Sequence, residues 1–223
     1  MDIKVLYEDN HLLIVEKPVN LLVQGDDSKD EDLLNILKGY IKEKYNKPGD
    51  VYLGLVHRLD RPVGGAIVFA RTSKAASRLS EALRNHQIYR KYVAVTRGHL
   101  PENRGRLTDY LWKDRKKNIV SVVKPDKKDA KQAVMDYKVL KSNEEGSLIE
   151  IELKTGRPHQ IRVQLANQGT PLYGDQKYGQ NINKPGQQIA LWASKLSVKH
   201  PTKDEMVVVE CPPPKTYPWS YYI

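Results

Sequence analysis

Three polar clusters hold residue types able to do chemistry. The first is His57-Arg58-Leu59-Asp60-Arg61-Pro62-Val63-Gly64-Gly65. Asp60 has arginine on both sides in sequence. Nearby positive charge favours the carboxylate form. Such a side chain suits a nucleophile or an electrostatic stabiliser better than a general acid. Gly64-Gly65 would let a backbone or a ligand approach closely. A structural Arg–Asp pair fixing the loop explains the same residues, and from this segment alone both readings stay open. The second cluster is Thr155-Gly156-Arg157-Pro158-His159-Gln160-Ile161-Arg162. His159 and Arg162 are three apart, so on a helix they share a face. Arg157 lies where that helix would start, and a guanidinium there suits phosphate or carboxylate. A plain helix N-terminus with surface arginines is the alternative. The third is Tyr89-Arg90-Lys91-Tyr92, where Tyr92 either stacks on a base or fills a core.

Other chemistries lack their residues. The chain has no Walker-type phosphate loop, no G-x-G-x-x-G and no G-x-S-x-G. Its six histidines show no H-x-x-x-H spacing, and Cys211 is the only cysteine. That excludes an intrachain disulfide and a cysteine-based zinc site. The expectation is chemistry without metal or cofactor.

These clusters need elements to hold them. Ile3–Tyr7 and Leu12–Val15 read as a strand pair turned by Glu8-Asp9-Asn10. Leu33, Leu34, Leu37 and Ile41 predict a helix over Leu33–Ile41. Val51–Val56 and Ala66–Ala70 are strand-like and bracket the Asp60 cluster, which places it in a loop, where function concentrates. Thr72 reads as the N-cap of a helix ending near His86, with Ala75, Ala76, Leu79, Ala82 and Leu83 as its stripe. Further strands are Tyr92–Thr96, Ile119–Val123, Val134–Leu140, Leu148–Leu153, Ile189–Val198 and Met206–Glu210. Thr155–Pro158 reads as a helix start with Pro158 near its first turn, and Gly169 lies past its end near Ala166. Strands outnumber helices and several follow one another directly. This favours an α+β domain with a mixed, mainly antiparallel sheet. No repeat or long linker divides the chain, so residues 1–223 are expected to be a single domain.

The charge is uneven. Lys and Arg number 37 and Asp and Glu 27, a net +10. Residues 1–50 hold 7 lysines and 11 acidic residues, a net −4, so the remainder carries +14. The densest stretch holds Lys113, Arg115, Lys116, Lys117, Lys124, Lys127, Lys128 and Lys131. A basic surface attracts polyanions, nucleic acid above all. A solvated lysine-rich loop is the alternative. A hydrophobic share of 39% excludes a fully disordered chain. The longest apolar runs, Leu12–Val15 and Ala66–Ala70, fall far short of the roughly 20 residues a membrane-spanning helix needs. The start, Met1-Asp2-Ile3-Lys4, has no signal-peptide core. The single cysteine fits a cytoplasmic protein. No long heptad run demands a protein partner, and a monomer is expected.

Taken together, the clusters resemble the RluA-type family of RNA pseudouridine synthases. The similarity is ordered along the chain: Glu16-Lys17-Pro18, His57-Arg58-Leu59-Asp60, Gly65–Arg71, Arg90-Lys91-Tyr92-Val93-Ala94, Thr155–Arg162, then Gly174-Asp175 with Tyr178-Gly179. The resemblance implies a mixed α/β domain whose largely antiparallel central sheet has two halves, with flanking helices and Asp60 in a central cleft. It implies that Asp60 is the catalytic aspartate, Tyr92 the tyrosine against the target base and Arg162 the arginine that pairs with the aspartate. His57, Arg58, Arg61, Lys17, Arg157, His159, Lys116 and Lys117 are the expected RNA-binding residues. Two departures stand out: Val63-Gly64-Gly65 replaces the family's usual Thr-Ser-Gly, and Gln164 stands where many members have His. Many members also carry a small N-terminal RNA-binding domain; with the lysine–proline motif at residue 16, none is expected here. That favours a compact target such as a tRNA arm, with rRNA also open.

The implied reaction breaks the N-glycosidic bond of a uridine in RNA, rotates the uracil and joins its C5 to the ribose. Asp60 would attack C1′ or remove the 2′ proton. The target base must leave its stack. An inactive RNA-binding module of the same fold is the competing expectation, in view of Val63-Gly64. A glycoside hydrolase is a further one, but that chemistry calls for two carboxylates at the cleaved bond, and no second motif supplies one.

Overall fold

The computed structural model describes residues 2–222. Among the described residues eleven strands and three α-helices make a mixed α/β fold, and every strand pairing described is antiparallel. Two compact units are present, Met1–Arg90 with Ala193–Pro212, and Lys91–Trp192 with Pro213–Ile223. Among the described residues no helix is long and apolar enough to cross a membrane.

In the first unit β1 (Val5–Glu8) pairs with β2 (Leu12–Lys17), and β2 pairs with β4 (Gly64–Ala70). Both β2 and β4 are apolar on both faces, and Leu12, Ile14, Ile67 and Phe69 are wholly buried. Such continuous runs mark strands covered on both sides rather than half-exposed ones. Helix α1 (Leu33–Lys44) buries Leu33, Leu37 and Ile41 at helical spacing, and Asp32 caps it by accepting from the Asn35 amide at 3.0 Å. Helix α2 (Ser73–Arg84) starts as expected at Thr72, whose hydroxyl accepts from the Ala75 amide at 3.1 Å. Each such cap contributes about 1 kcal/mol. The expected strand at 51–56 shrinks to β3 (Gly54–Leu55), which meets only Ala70 and Phe69 at the end of β4. Strand β10 (Leu191–Lys199) takes the rest of that edge and pairs with β11 (Met206–Glu210).

In the second unit β5 (Tyr89–Arg97) pairs with β9 (Gly146–Leu153), β9 with β8 (Lys131–Ser142), and β8 with β6 (Arg104–Asp114). The outermost strand is β7 (Ile119–Val123), joined to β6 in a hairpin. Strand β6 is absent from the sequence expectations. It has few buried apolar residues and is held by eight pairings to β8, from Arg104↔Lys138 to Leu111↔Lys131. Helix α3 (Gln160–Asn167) is nearly all buried, and its Val163 packs against Leu111, Val120 and Ala133. It starts five residues later than expected. His159 is its N-cap in the left-handed region at φ 52°, and Pro158 lies outside it. The Gln160 side chain holds the preceding turn, accepting from the Arg157 amide at 3.0 Å and the Thr155 hydroxyl at 2.7 Å.

Candidate active site

The Asp60 cluster forms the loop between β3 and β4, as expected. His57, Leu59 and Val63 point inward and are buried, Asp60 is half-exposed, and Arg58 and Arg61 are exposed. The Val63 amide donates to the Asp60 carbonyl at 2.9 Å and closes a tight turn just after the carboxylate. Gly65 then brings two backbones together. It sits at φ 113°, and a Cβ there would lie 2.4 Å from the Ala193 carbonyl oxygen of β10. Gly65 therefore serves a backbone approach at this position.

Lys17 supports the loop from beneath. It stands opposite Gly65 at the end of β2 and is wholly buried. Its Nζ donates to the Arg61 carbonyl at 3.0 Å and the Pro18 carbonyl at 2.8 Å. Burial pulls its pKa down to about 7, against the attraction of Asp60, with the Arg61 charge pulling the same way as burial. This corrects the expectation that Lys17 contacts RNA phosphate, because its head has no surface. His57 is corrected as well, because its ring is committed to the backbone of β4. It is only 7% exposed, its Nε2 accepts from the Val68 amide of β4 at 3.4 Å, and its Nδ1 has no partner among the described residues. Burial, with the nearby Arg90 charge, pushes its pKa down to about 3, so it is a neutral anchor of the loop. Arg61 bridges to Asp30 at 2.8 Å and donates to the Asn20 carbonyl at 3.3 Å.

In the second unit Tyr92 lies near the start of β5, opposite Ile151, and is 5% exposed. Arg162 lies in the first turn of α3 and is buried. Its Nε and Nη2 donate to the two oxygens of Asp175, each at 2.8 Å. Burial alone would push the Asp175 carboxyl up. The Arg162 guanidinium and the amides of Lys177 and Tyr178 outweigh it and hold the carboxyl below the usual range. The Tyr178 ring lies 5.2 Å from the Arg162 guanidinium, and its hydroxyl meets His159 Nδ1 at 2.5 Å. His159 and Arg162 thus share a partner although His159 lies outside the helix. Arg157 Nε donates to the Gln132 carbonyl at 2.8 Å. Gln164 is wholly buried and donates to Asp109 at 2.7 Å.

Lys116 and Lys117 are exposed at the tip of the β6–β7 hairpin, whose turn is fixed by their amides donating to Asp114 Oδ1 at 2.9 and 3.1 Å. Lys127 lies over the Trp112 ring, 5.1 Å from its centroid. Asp175 and Tyr178 received no role from the sequence, although the Gly-Asp and Tyr-Gly pairs that contain them were legible.

Residues 11–167 match the profile of the RNA pseudouridylate synthase family. The uncharacterized RNA pseudouridine synthase YhcT of Bacillus subtilis (strain 168) is 37% identical over 96% of this chain and 69% of its own length. Ribosomal large subunit pseudouridine synthase C of Buchnera aphidicola (subsp. Acyrthosiphon pisum) is 30% identical over 94% of this chain and 67% of its own. The solved human RNA pseudouridylate synthase domain containing 4 has the same fold, with a TM-score of 0.79 at 24% identity over 95% of this chain and 89% of that one. The chain therefore belongs to the RNA pseudouridylate synthase family, enzymes that isomerise uridine within RNA to pseudouridine.

Proposed function

We propose that this enzyme modifies a uridine in ribosomal RNA, with Asp60 as the catalytic carboxylate, Tyr92 as the ring that packs on the uracil and Arg162 as the arginine that orients Asp60. One observation carries the reading. Asp60 is a half-exposed carboxylate on a short loop anchored at three points, by the Lys17 ammonium on the Arg61 carbonyl, the buried His57 and the Gly65 backbone approach. A loop held in this way presents one side chain to a substrate with little freedom, as positioning of a reacting group requires. Residues 1–223 act as a single catalytic domain in this proposal. Stacking of a flipped base on Tyr92 would contribute about 1–3 kcal/mol.

The exposed Arg58, Lys116 and Lys117, together with Arg61, Arg157 and His159, are the phosphate and substrate contacts in this proposal. Basic side chains of this kind position a nucleic acid without reading its sequence. Relatives from Buchnera, Yersinia and Haemophilus named as ribosomal large subunit enzymes support rRNA over tRNA. The cytoplasm and a monomeric state suit the role. The test incubates the purified enzyme with unmodified transcripts of large-subunit rRNA and of tRNAs, followed by chemical mapping of pseudouridine. A new modified position in rRNA alone supports the proposal. Modification confined to tRNA overturns the choice of RNA.

A further inference from the structure

The Gly174-Asp175 and Tyr178-Gly179 pairs have no part in the chemistry above, yet the turn that holds them touches two functional elements. On one side Asp175 binds Arg162 through both oxygens, and the Tyr178 ring lies beside the same guanidinium. On the other side Lys177 Nζ donates to the Asn118 carbonyl at 3.0 Å, and the Tyr178 hydroxyl accepts from the Val120 amide at 3.0 Å. Asn118 lies in the turn of the β6–β7 hairpin, and Val120 lies in β7. Strand β7 is the outer strand, so its outward amide needs a partner from elsewhere, and Tyr178 supplies it. With Val120 donating, the hydroxyl proton is available to His159 Nδ1.

The turn itself is stiff. Gly174 has φ 73°, and a Cβ there would lie 2.2 Å from the Gln188 carbonyl oxygen. Asp175 Oδ1 also accepts from the amides of Lys177 and Tyr178 at 2.9 and 3.1 Å. A tyrosine that only filled the core between Val163 and Val120 would need its ring and not these hydroxyl partners. Here one hydroxyl joins the hairpin that carries Lys116 and Lys117 to the residue that opens α3, while the ring of the same residue lies beside Arg162.

We propose that Tyr178 is a positioning residue that couples phosphate capture by the β6–β7 hairpin to the orientation of Arg162, an inference that rests on the roles given above to Arg162, Lys116 and Lys117. The test is steady-state kinetics on one RNA transcript with five proteins: wild type, K116A/K117A, Y178F, the triple variant and R162K. If hairpin and arginine are coupled, K116A/K117A raises KM and also lowers kcat by about threefold or more, within the range of couplings through packed networks. Y178F lowers kcat by a similar factor, and in that background the lysine pair changes KM only. An unchanged kcat in K116A/K117A overturns the coupling and needs no Tyr178 variant. The same fractional loss of kcat from the lysine pair in both backgrounds also overturns it. R162K distinguishes the two readings. Wild-type kcat in R162K defeats the role of Arg162 itself, whereas a large loss in R162K beside a normal kcat in K116A/K117A defeats only the coupling.

Discussion

Lys17→Met removes the buried ammonium and keeps its stem. In the wild type Nζ holds the carbonyls of Arg61 and Pro18. A buried carbonyl left unpaired costs about 1–3 kcal/mol, so the variant loses a few kcal/mol on this account. A second effect opposes it. Burial pulls the Lys17 pKa from 10.5 to about 7, so the folded state resists protonation. At ~1.4 kcal/mol per pH unit this penalty is ~5 kcal/mol at low pH. For a base with a depressed folded pKa, the penalty is fully present below about pH 7 and relieved as pH rises toward the unfolded value near 10.5. The two effects nearly cancel at pH 7, where the variant should lie within about 2 kcal/mol of the wild type. Between pH 7 and 9 the wild type should gain about 2 kcal/mol on the variant. Urea unfolding of both proteins at pH 7, 8 and 9 measures this directly. The Asp60 loop also loses its support, so kcat should fall by about tenfold or more. Parallel stability–pH curves for the two proteins would refute the burial of a titrating lysine, and an unchanged kcat would refute its support of the loop.

Gly65→Ala forces a methyl group to within 2.4 Å of the Ala193 carbonyl oxygen at a φ of 113°. It should cost about 3 kcal/mol or more, read as a fall in melting temperature. Asp175→Asn breaks a pair in which Asp175 is wholly buried and Arg162 nearly so, and should cost about 3–5 kcal/mol in urea unfolding. Because the Asp175 carboxyl is held below the usual range, its contribution is present above the unfolded carboxyl pKa and is lost as pH falls through the lower folded value. The variant should therefore lack that part of the acid destabilisation. Lys116→Ala with Lys117→Ala should reduce the slope of log affinity against log salt by roughly 1.5–2 for RNA binding.

The central strands and helix α2 of the first unit were legible because Leu12–Val15 and Ala66–Ala70 are unbroken apolar runs and α2 has a hydroxyl cap at Thr72. Strand β6 was not, because Arg104–Asp114 mixes charged and apolar residues and owes its extension to β8, about thirty residues further on. The start of α3 was misplaced for a local reason. Pro158 fits a first helical turn, but His159 at φ 52° and the Gln160 side chain hold the preceding residues in a turn instead. Asp60 was legible from its motif. The work of Lys17 was not, since its partner carbonyl on Arg61 lies 44 residues away. A lysine at the end of an apolar strand reads as a surface cation until that carbonyl is seen. Tyr178 shows the same limit, because its partners Val120 and His159 come from two different elements.

The central claim is that Asp60 carries a uridine isomerisation. Joining C5 of uracil to the ribose expels the C5 hydrogen, so RNA tritiated at uridine C5 releases its label only when the reaction occurs. Release is measured for wild type and Asp60→Asn at matched RNA occupancy. Tritium release by the wild type, with none above background from Asp60→Asn while it still binds RNA, is the predicted result. Release by Asp60→Asn at the wild-type rate would contradict it.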